Sequence, residues 1–194
     1  SALLGATAAH QVTGAARTYP LPPPVMVIAT QNPVEMEGTY PLPEAQRDLF
    51  LMQIHLGYPD RAAEVSMLDA HEMRDPLDDV RPVTDASTLR SLQLTTRTVF
   101  ASDAVKRFVV DLVTATRSTP LLRLGASPRS SVHLLQAAKA MSLLAGRDHV
   151  LPDDVKALAV SVLAHRTLLS TEAHLDRRSA TSIIADLVAH TPVP

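Results

Sequence analysis

The stretch that decides the fold is Val25-Met26-Val27-Ile28-Ala29, which is followed by Thr30-Gln31-Asn32-Pro33. An apolar run without polar alternation predicts a strand that is buried on both faces, as in a parallel sheet. Asn32 follows this strand at its carboxyl end, where open α/β sheets bind ligands. Its amide can hold a water molecule beside a phosphate without adding charge. The alternative is that Asn32 only caps the turn before Pro33.

Further short elements surround this strand. Residues 11–13 and 18–21 predict a β-hairpin with a four-residue loop around Gly14. Residues 44–50 predict a short helix, and residues 51–56 predict another strand. The first part of the chain is therefore predicted to be an α/β region.

The second part of the chain has the periodicity of helices. Apolar residues recur at i, i+3, i+4 and i+7 in four segments that contain Val105, Leu134, Val155 and Ile183. Ser102 predicts the start of the first of these helices, and Gly146 predicts the end of the second. Pro152 predicts the start of the third, and the fourth is predicted over residues 180–190. Four amphipathic helices can share one core, so this part is predicted to be all-α.

Arg129 is predicted to lie in the first turn of a helix, because Ser127-Pro128 is typical of a cap followed by the first helical residue. Cations are disfavoured at that end, where the helix dipole is already positive. A helix amino terminus that carries an arginine favours an anion as its ligand. The alternative is a salt bridge between Arg129 and a nearby carboxylate.

Composition excludes several classes of function. The chain has no cysteine, which excludes disulfides, cysteine zinc sites and thiol nucleophiles. The eight histidines do not show the i, i+4 spacing of a helical zinc pair, so no metal site is predicted. A net charge of −2 and an aromatic content of 3% argue against binding of nucleic acid. The sequence contains no apolar run long enough for a membrane span, and a cytoplasmic location fits this composition.

Two specific motifs are similar to those of a known family. The segments IATQNP (residues 28–33) and EGTYPLPEAQ (residues 37–46) closely resemble the MoxR family of AAA+ ATPases. Three later segments agree in the right order: residues 56–59, 125–129 and 155–166. The resemblance covers nearly the whole chain. It implies three parts. Residues 1–72 would be the carboxyl-side part of an α/β AAA+ core, which keeps a parallel-sheet remnant with a hairpin. Residues 73–82 would be a linker, and residues 83–194 an all-α helical lid.

The resemblance also implies roles for single residues. Asn32 matches sensor 1, which positions the attacking water, and Arg129 matches sensor 2, the lid arginine that contacts bound nucleotide. Both side chains would converge on one triphosphate in a cleft between core and lid. ATP and Mg²⁺ would be the cofactors. A neighbouring subunit of a homo-oligomer, a hexameric ring in the full-length protein, would complete the site.

The chain also departs from the family pattern. Asp48-Leu49-Phe50 stands where the family reads Asp-Arg-Phe, so the arginine that resembles a finger toward the neighbouring phosphate is absent. Arg47 is a candidate for a displaced finger on a different helix face. Leu151 replaces a Thr cap, which should weaken that helix start by roughly 1 kcal/mol.

The sequence contains neither a phosphate loop, Gly-x-x-x-x-Gly-Lys-Ser/Thr, nor an acidic magnesium pair after an apolar strand. This chain alone is therefore expected to hydrolyse no ATP. By resemblance, the full-length protein is expected to be an ATP-driven chaperone that remodels or matures partner proteins, often ones with a von Willebrand factor A domain. The alternative is a catalytically inactive protein-interaction module derived from the family.

Overall fold

The protein is described by a computed structural model that covers residues 11–14, 17–31, 42–73 and 75–194. The elements of the first half are β1 (Gln11–Gly14), β2 (Arg17–Pro20), α1 (Glu44–Arg47), α2 (Arg61–Met73), a 3₁₀ helix (Pro76–Asp79) and α3 (Ala86–Thr98). Those of the second half are α4 (Asp103–Ser118), β3 (Leu122–Leu124), α5 (Pro128–Leu144), α6 (Pro152–Leu163), a 3₁₀ helix (Ala164–Arg166), β4 (Leu168–Leu169), α7 (Thr171–Leu175) and α8 (Ala180–His190).

The predicted hairpin is confirmed. Strands β1 and β2 pair antiparallel, with Val12 opposite Tyr19 and Gly14 opposite Arg17. The pairing therefore extends closer to the turn than the four-residue loop predicted from the sequence. A second antiparallel pair, β3 with β4, joins the segment after α4 to the segment after α6.

The two strands predicted around the hairpin are not formed. Residues 25–29 are irregular, and Met26 and Ile28 are 79% and 77% exposed. Residues 51–56 are irregular too, although the Gln53 N–H donates to the carbonyl of Ser161 at 2.9 Å. A parallel-sheet strand needs neighbours that pair with it. Among the described residues no segment pairs with either run, so the parallel-sheet remnant is not seen in this part of the chain.

The core lies in the second half of the chain, among α4, α5, α6 and α8. Its side chains are almost all aliphatic, and the largest fully buried ones include Phe108, Leu112, Leu134, Leu163 and Ile183. Burying an aliphatic side chain of this size contributes roughly 2 kcal/mol, so these contacts dominate the stability of the helical part. The four helices predicted from periodicity are confirmed.

Local signals set two of the helix ends as predicted. The Ser102 Oγ accepts a hydrogen bond from the Val105 N–H at 3.2 Å and begins α4. Gly146 has a φ of 73°, and its N–H donates to the carbonyl of Leu143 after the end of α5. Left-handed backbone of this kind favours glycine, which explains why the helix ends there.

Helix α6 begins without a capping side chain, because leucine at position 151 cannot accept a hydrogen bond. The Asp154 carboxylate instead accepts from the Leu151 N–H at 2.8 Å, from Ser142 Oγ at 2.9 Å and from both terminal nitrogens of Arg147, one at 2.8 Å. The Arg147 guanidinium, chiefly, holds the pKa of Asp154 down at about 2. This buried network compensates for the missing cap.

We expect Asp154→Asn to lower the free energy of unfolding by about 2 kcal/mol at neutral pH. The folded-state pKa of about 2 lies below the ordinary pKa of an aspartate, 3.8, so this stabilisation is present above about pH 4 and is lost as the pH falls. The difference between variant and wild type should shrink by about half at about pH 3. Urea unfolding at both pH values measures it.

Asp153→Asn is the matched control, because its side chain is 88% exposed and pairs with Lys156 within one helical turn. It should change stability by no more than about 0.5 kcal/mol. A cost for Asp154→Asn that does not depend on pH would contradict the ion-pair explanation.

Helices α2 and α3 lie outside this core. The Asp60 carboxylate accepts from the Ala63 N–H at 2.8 Å at the start of α2, whose side chains are exposed up to Glu72. Asp85 caps α3 in the same way, through the Thr88 N–H. The linker proposed at residues 73–82 contains a 3₁₀ helix, and the domain boundaries stay a prediction. Among the described helices, none combines the length and apolarity of a membrane span.

Candidate functional site

The loop before α5 is fixed to the end of α4. The Thr116 Oγ1 accepts from the Ala126 N–H at 2.9 Å and donates to the carbonyl of Val113 at 2.6 Å. Arg117 Nε donates to the Ala126 carbonyl at 2.7 Å. Gly125 passes so close to the backbone of Thr116 that a Cβ at this position would lie 2.5 Å from the Thr116 carbonyl oxygen. The first turn of α5 therefore starts from a rigid support.

Ser127 precedes α5 as predicted, but its side chain does not cap the helix. The Ser127 hydroxyl instead donates to the Asp48 carboxylate and lies 3.0 Å from both of its oxygens. The charged carboxylate attracts the hydroxyl proton, and in this orientation the Ser127 oxygen accepts no capping hydrogen bond from α5. Ser127 stands at the N-cap position as predicted, but the prediction that its side chain caps the helix is wrong.

Arg129 lies in the first turn of α5, as the sequence predicts. Its Nη1 is 3.5 Å from Asp48 Oδ2, and 51% of its side chain is exposed. The salt bridge weighed as an alternative is thus present in the structure. At this distance and exposure such a pair contributes at most about 1 kcal/mol, so the guanidinium can change partner at low cost.

Arg166, in contrast, is fixed, with only 1% of its side chain exposed. Its Nη1 donates to Ser130 Oγ at 3.2 Å and lies 3.5 Å from Asp48 Oδ1. Its Nη2 donates to the carbonyls of Phe50 and Leu51, the latter at 3.2 Å. Arg166 therefore joins the segment after α1 to the helical part of the chain.

His133 completes this cluster as a neutral acceptor. Its Nδ1 contacts Arg166 Nη2. Burial first, and then the positive charge of Arg166, lower the pKa of His133 to about 4, so the ring is neutral at pH 7. Burial also lowers the pKa of Arg166 to about 10, which leaves its guanidinium charged. One carboxylate, Asp48, thus faces two positive charges, and the cluster carries net positive charge.

The cluster adjoins an open cleft of about 480 Å³ between α1, β3 and the loop before α5. Polar and charged residues of its lining are Glu44, Asp48, Arg117, Arg123, Ser127 and Arg166. The lining therefore has three arginines and two carboxylates, and Arg166 and Asp48 among them already pair with each other.

Mg²⁺ fits the described part of this site less well. It prefers carboxylates and other oxygen ligands, and the Asp48 carboxylate already binds Ser127, Arg129 and Arg166. Among the described residues, no group of three His, Cys, Asp or Glu side chains could hold a metal ion.

The other two predicted site residues are Asn32 and Arg47. Asn32 lies outside the described residues, so its convergence with Arg129 stays a prediction. Arg47 ends α1 and is half-buried, and its Nε is buried without a hydrogen-bond partner in the described structure. A finger must extend from the subunit surface, so this placement does not favour Arg47 in that role.

Sequence reasoning missed Asp48 and Arg166 as site residues. A signal for Arg166 was available, because a single arginine at the end of the apolar segment 155–166 must be either exposed or paired. Asp48 carried no such signal, since its partner Ser127 is 79 residues away in sequence.

Two family models match this chain. Residues 1–52 match the ATPase family associated with various cellular activities (AAA), and residues 114–187 match the AAA lid domain. The chain is 36% identical over 203 residues to the chaperone MoxR1 of Mycobacterium tuberculosis, covering all of this chain and 53% of that protein. The chain belongs to the MoxR family of AAA+ ATPases. Helices α5, α6 and α7 of this MoxR chain lie within the lid match, and so does most of α8.

Two further comparisons extend the likeness over the whole MoxR chain. YeaC of Bacillus subtilis, an uncharacterized protein, is 42% identical over 194 residues, which are all of this chain and 61% of YeaC. The crystal structure of a proposed ATPase from Cytophaga hutchinsonii matches 99% of this chain and 61% of its own, with a TM-score of 0.89 and 34% identity. The chain thus spans a little over half the length of the relatives it matches.

Proposed function

We propose that this chain is the carboxyl-side part of an ATP-driven ring chaperone of the MoxR type, which remodels or matures partner proteins. Arg129 would contact the nucleotide phosphates as sensor 2, and Asn32 would position the attacking water as sensor 1. One observation supports this most. Arg129 stands half-exposed in the first turn of α5, and among the described residues its one ion pair is the 3.5 Å contact with Asp48.

The chemistry of this position suits a phosphate. The amino end of a helix carries partial positive charge, and the Arg129 guanidinium adds a full one. The Thr116 and Arg117 contacts keep the loop in place, so Arg129 can bind without reordering the backbone. ATP supplies the reactive phosphate when bound, and these residues of the chain orient it.

The finer features of the proposal come from the family. They are a hexameric homo-oligomeric ring, bound ATP with Mg²⁺, a cytoplasmic location and client proteins with or without a von Willebrand factor A domain. The name of the M. tuberculosis relative, a chaperone, supports the remodelling role. The 194 residues contain no phosphate loop, so we expect them by themselves to hydrolyse no ATP.

Turnover of ATP by the complete gene product tests this function. Arg129→Ala should lower kcat/KM by about 10- to 100-fold, because a charge on the transferred phosphate loses its partner. Asn32→Ala should lower kcat by a similar factor with little change in KM, since it acts on the water and not on nucleotide binding. Steady-state phosphate release measures both.

Arg90→Ala is the matched control, because Arg90 is an exposed arginine on α3. It should leave turnover within about twofold of wild type. The sensor 2 role is contradicted if Arg129→Ala and Arg90→Ala turn over ATP equally fast.

The alternative, a catalytically inactive interaction module, is favoured by Leu49 at the finger position and by the half-buried Arg47. A complete gene product that turns over no ATP, yet binds the same partner proteins with and without nucleotide, would support this alternative. Partner binding that requires ATP would exclude it.

A further inference from the structure

We propose that the Asp48 carboxylate is an internal competitor of the nucleotide phosphates for Arg129. It holds Arg129 in the nucleotide-free chain, and a bound phosphate displaces it from that guanidinium. Asp48 is then a positioning residue that acts through Arg129. The inference rests on the proposed role of Arg129 as the phosphate-binding arginine.

The Asp48 carboxylate already occupies the place of an anion at the start of α5. Both of its oxygens accept from the Ser127 hydroxyl at 3.0 Å, and Oδ2 lies 3.5 Å from Arg129 Nη1. The sequence predicts an anion for this helix terminus, and in this structure the chain itself provides one. An incoming phosphate meets the same two groups and must compete for them.

The two arginines beside Asp48 differ in their freedom to leave. Arg166 is almost fully buried and is also bound to Ser130 and to two backbone carbonyls. Arg129 has half of its side chain in solvent, and in the described structure its one ion pair is the contact with Asp48. Exchange of partner therefore involves Arg129, while Arg166 continues to neutralise the carboxylate.

This exchange changes the contacts between the start of α5, in the lid, and the segment that precedes the lid. Asp48 lies in the segment after α1, whereas Ser127 and Arg129 belong to the start of α5. A phosphate that takes over Arg129 removes one of the contacts between these two parts. Nucleotide binding is thereby linked to the position of the lid against the preceding segment.

Binding of inorganic tripolyphosphate to the 194-residue chain, measured by titration calorimetry, tests the competition. Asp48→Asn should bind it about tenfold more tightly than wild type, because the competing negative charge is gone. The gain should disappear in the double variant Asp48→Asn with Arg129→Ala. Asp186→Asn, which removes an exposed carboxylate of α8 that pairs with Arg178, should bind like wild type.

Two results would overturn the proposal. One is a folded Asp48→Asn chain, checked by circular dichroism, whose affinity equals that of wild type. The other is a gain that persists without Arg129, which would place the phosphate elsewhere. If Asp48→Asn does not fold, hydrogen exchange of the wild-type chain decides: saturating tripolyphosphate should speed exchange at the amides of residues 48–52, and unchanged or slower exchange contradicts displacement.

The probe is inorganic and no turnover is measured, so this outcome is separate from that of the proposed function. If Arg129→Ala loses ATP turnover but Asp48→Asn binds tripolyphosphate no more tightly than wild type, Arg129 acts as sensor 2 and the competition is rejected. If Asp48→Asn binds tripolyphosphate more tightly only when Arg129 is present, but the complete gene product turns over no ATP, the competition is supported and the proposed ATPase function is rejected.

Discussion

Arg166→Ala is expected to lower the free energy of unfolding by about 3–5 kcal/mol, the largest effect of any single change considered for this chain. The Arg166 side chain is 1% exposed and bonds Ser130 and the carbonyls of Phe50 and Leu51. Removing it leaves these acceptors, and the Asp48 carboxylate, without their buried partner. A buried polar group without a partner costs far more than the pair contributes.

Chemical denaturation of the purified chain measures this cost. Arg166→Lys should lose less, about 2 kcal/mol, because an ammonium keeps the charge but cannot bond the separate acceptors at once. Arg107→Ala, at an exposed position of α4, should change stability by no more than about 0.5 kcal/mol. A loss below about 1 kcal/mol for Arg166→Ala would show that the cluster is not what joins the segment after α1 to the lid.

Gly125→Ala is expected to destabilise the chain by about 2–4 kcal/mol. The added Cβ would lie 2.5 Å from the carbonyl oxygen of Thr116, 2.7 Å from its carbon and 2.8 Å from the Cα of Arg117. All three are backbone atoms near the end of α4, so no side chain can rotate away. The loop that precedes Arg129 must then shift from α4 and lose its bonds to Thr116 and Arg117.

Gly146→Ala is the matched control for Gly125→Ala. Gly146 has a φ of 73° and no atom within 4 Å of an added Cβ, so alanine there meets only the cost of left-handed backbone, about 1 kcal/mol. Thermal unfolding of both variants separates steric from conformational cost. Equal losses in the two would mean that the close approach at Gly125 is relieved without disturbing the loop.

The helical part could be predicted from the sequence because its signals are local. The final helix was predicted over residues 180–190 and is α8, Ala180–His190, since its apolar face and its terminal signals lie within one short segment. Ser102 and Gly146 mark helix ends for the same reason, through bonds to residues within four positions. The aliphatic core follows from the same periodicity.

The remainder could not be predicted because it depends on contacts distant in sequence. Residues 25–29 have the composition of a buried strand, but a strand forms only when another segment pairs with it, and composition does not identify that segment. A carboxylate was only the alternative partner for Arg129, beside the predicted anionic ligand, and the sequence did not indicate Asp48. The local pattern places Ser127 at the N-cap, but it carries no sign of the hydrogen bond to Asp48, which lies 79 residues earlier.

Binding of a slowly hydrolysed ATP analogue to the complete gene product tests the role of Arg129 most directly. If the guanidinium contacts the nucleotide phosphates, Arg129→Ala should raise the Kd by about tenfold, whereas Arg90→Ala should leave it unchanged. Equal Kd values for wild type and Arg129→Ala, with both proteins folded and binding the analogue, would contradict the placement of nucleotide at the start of α5.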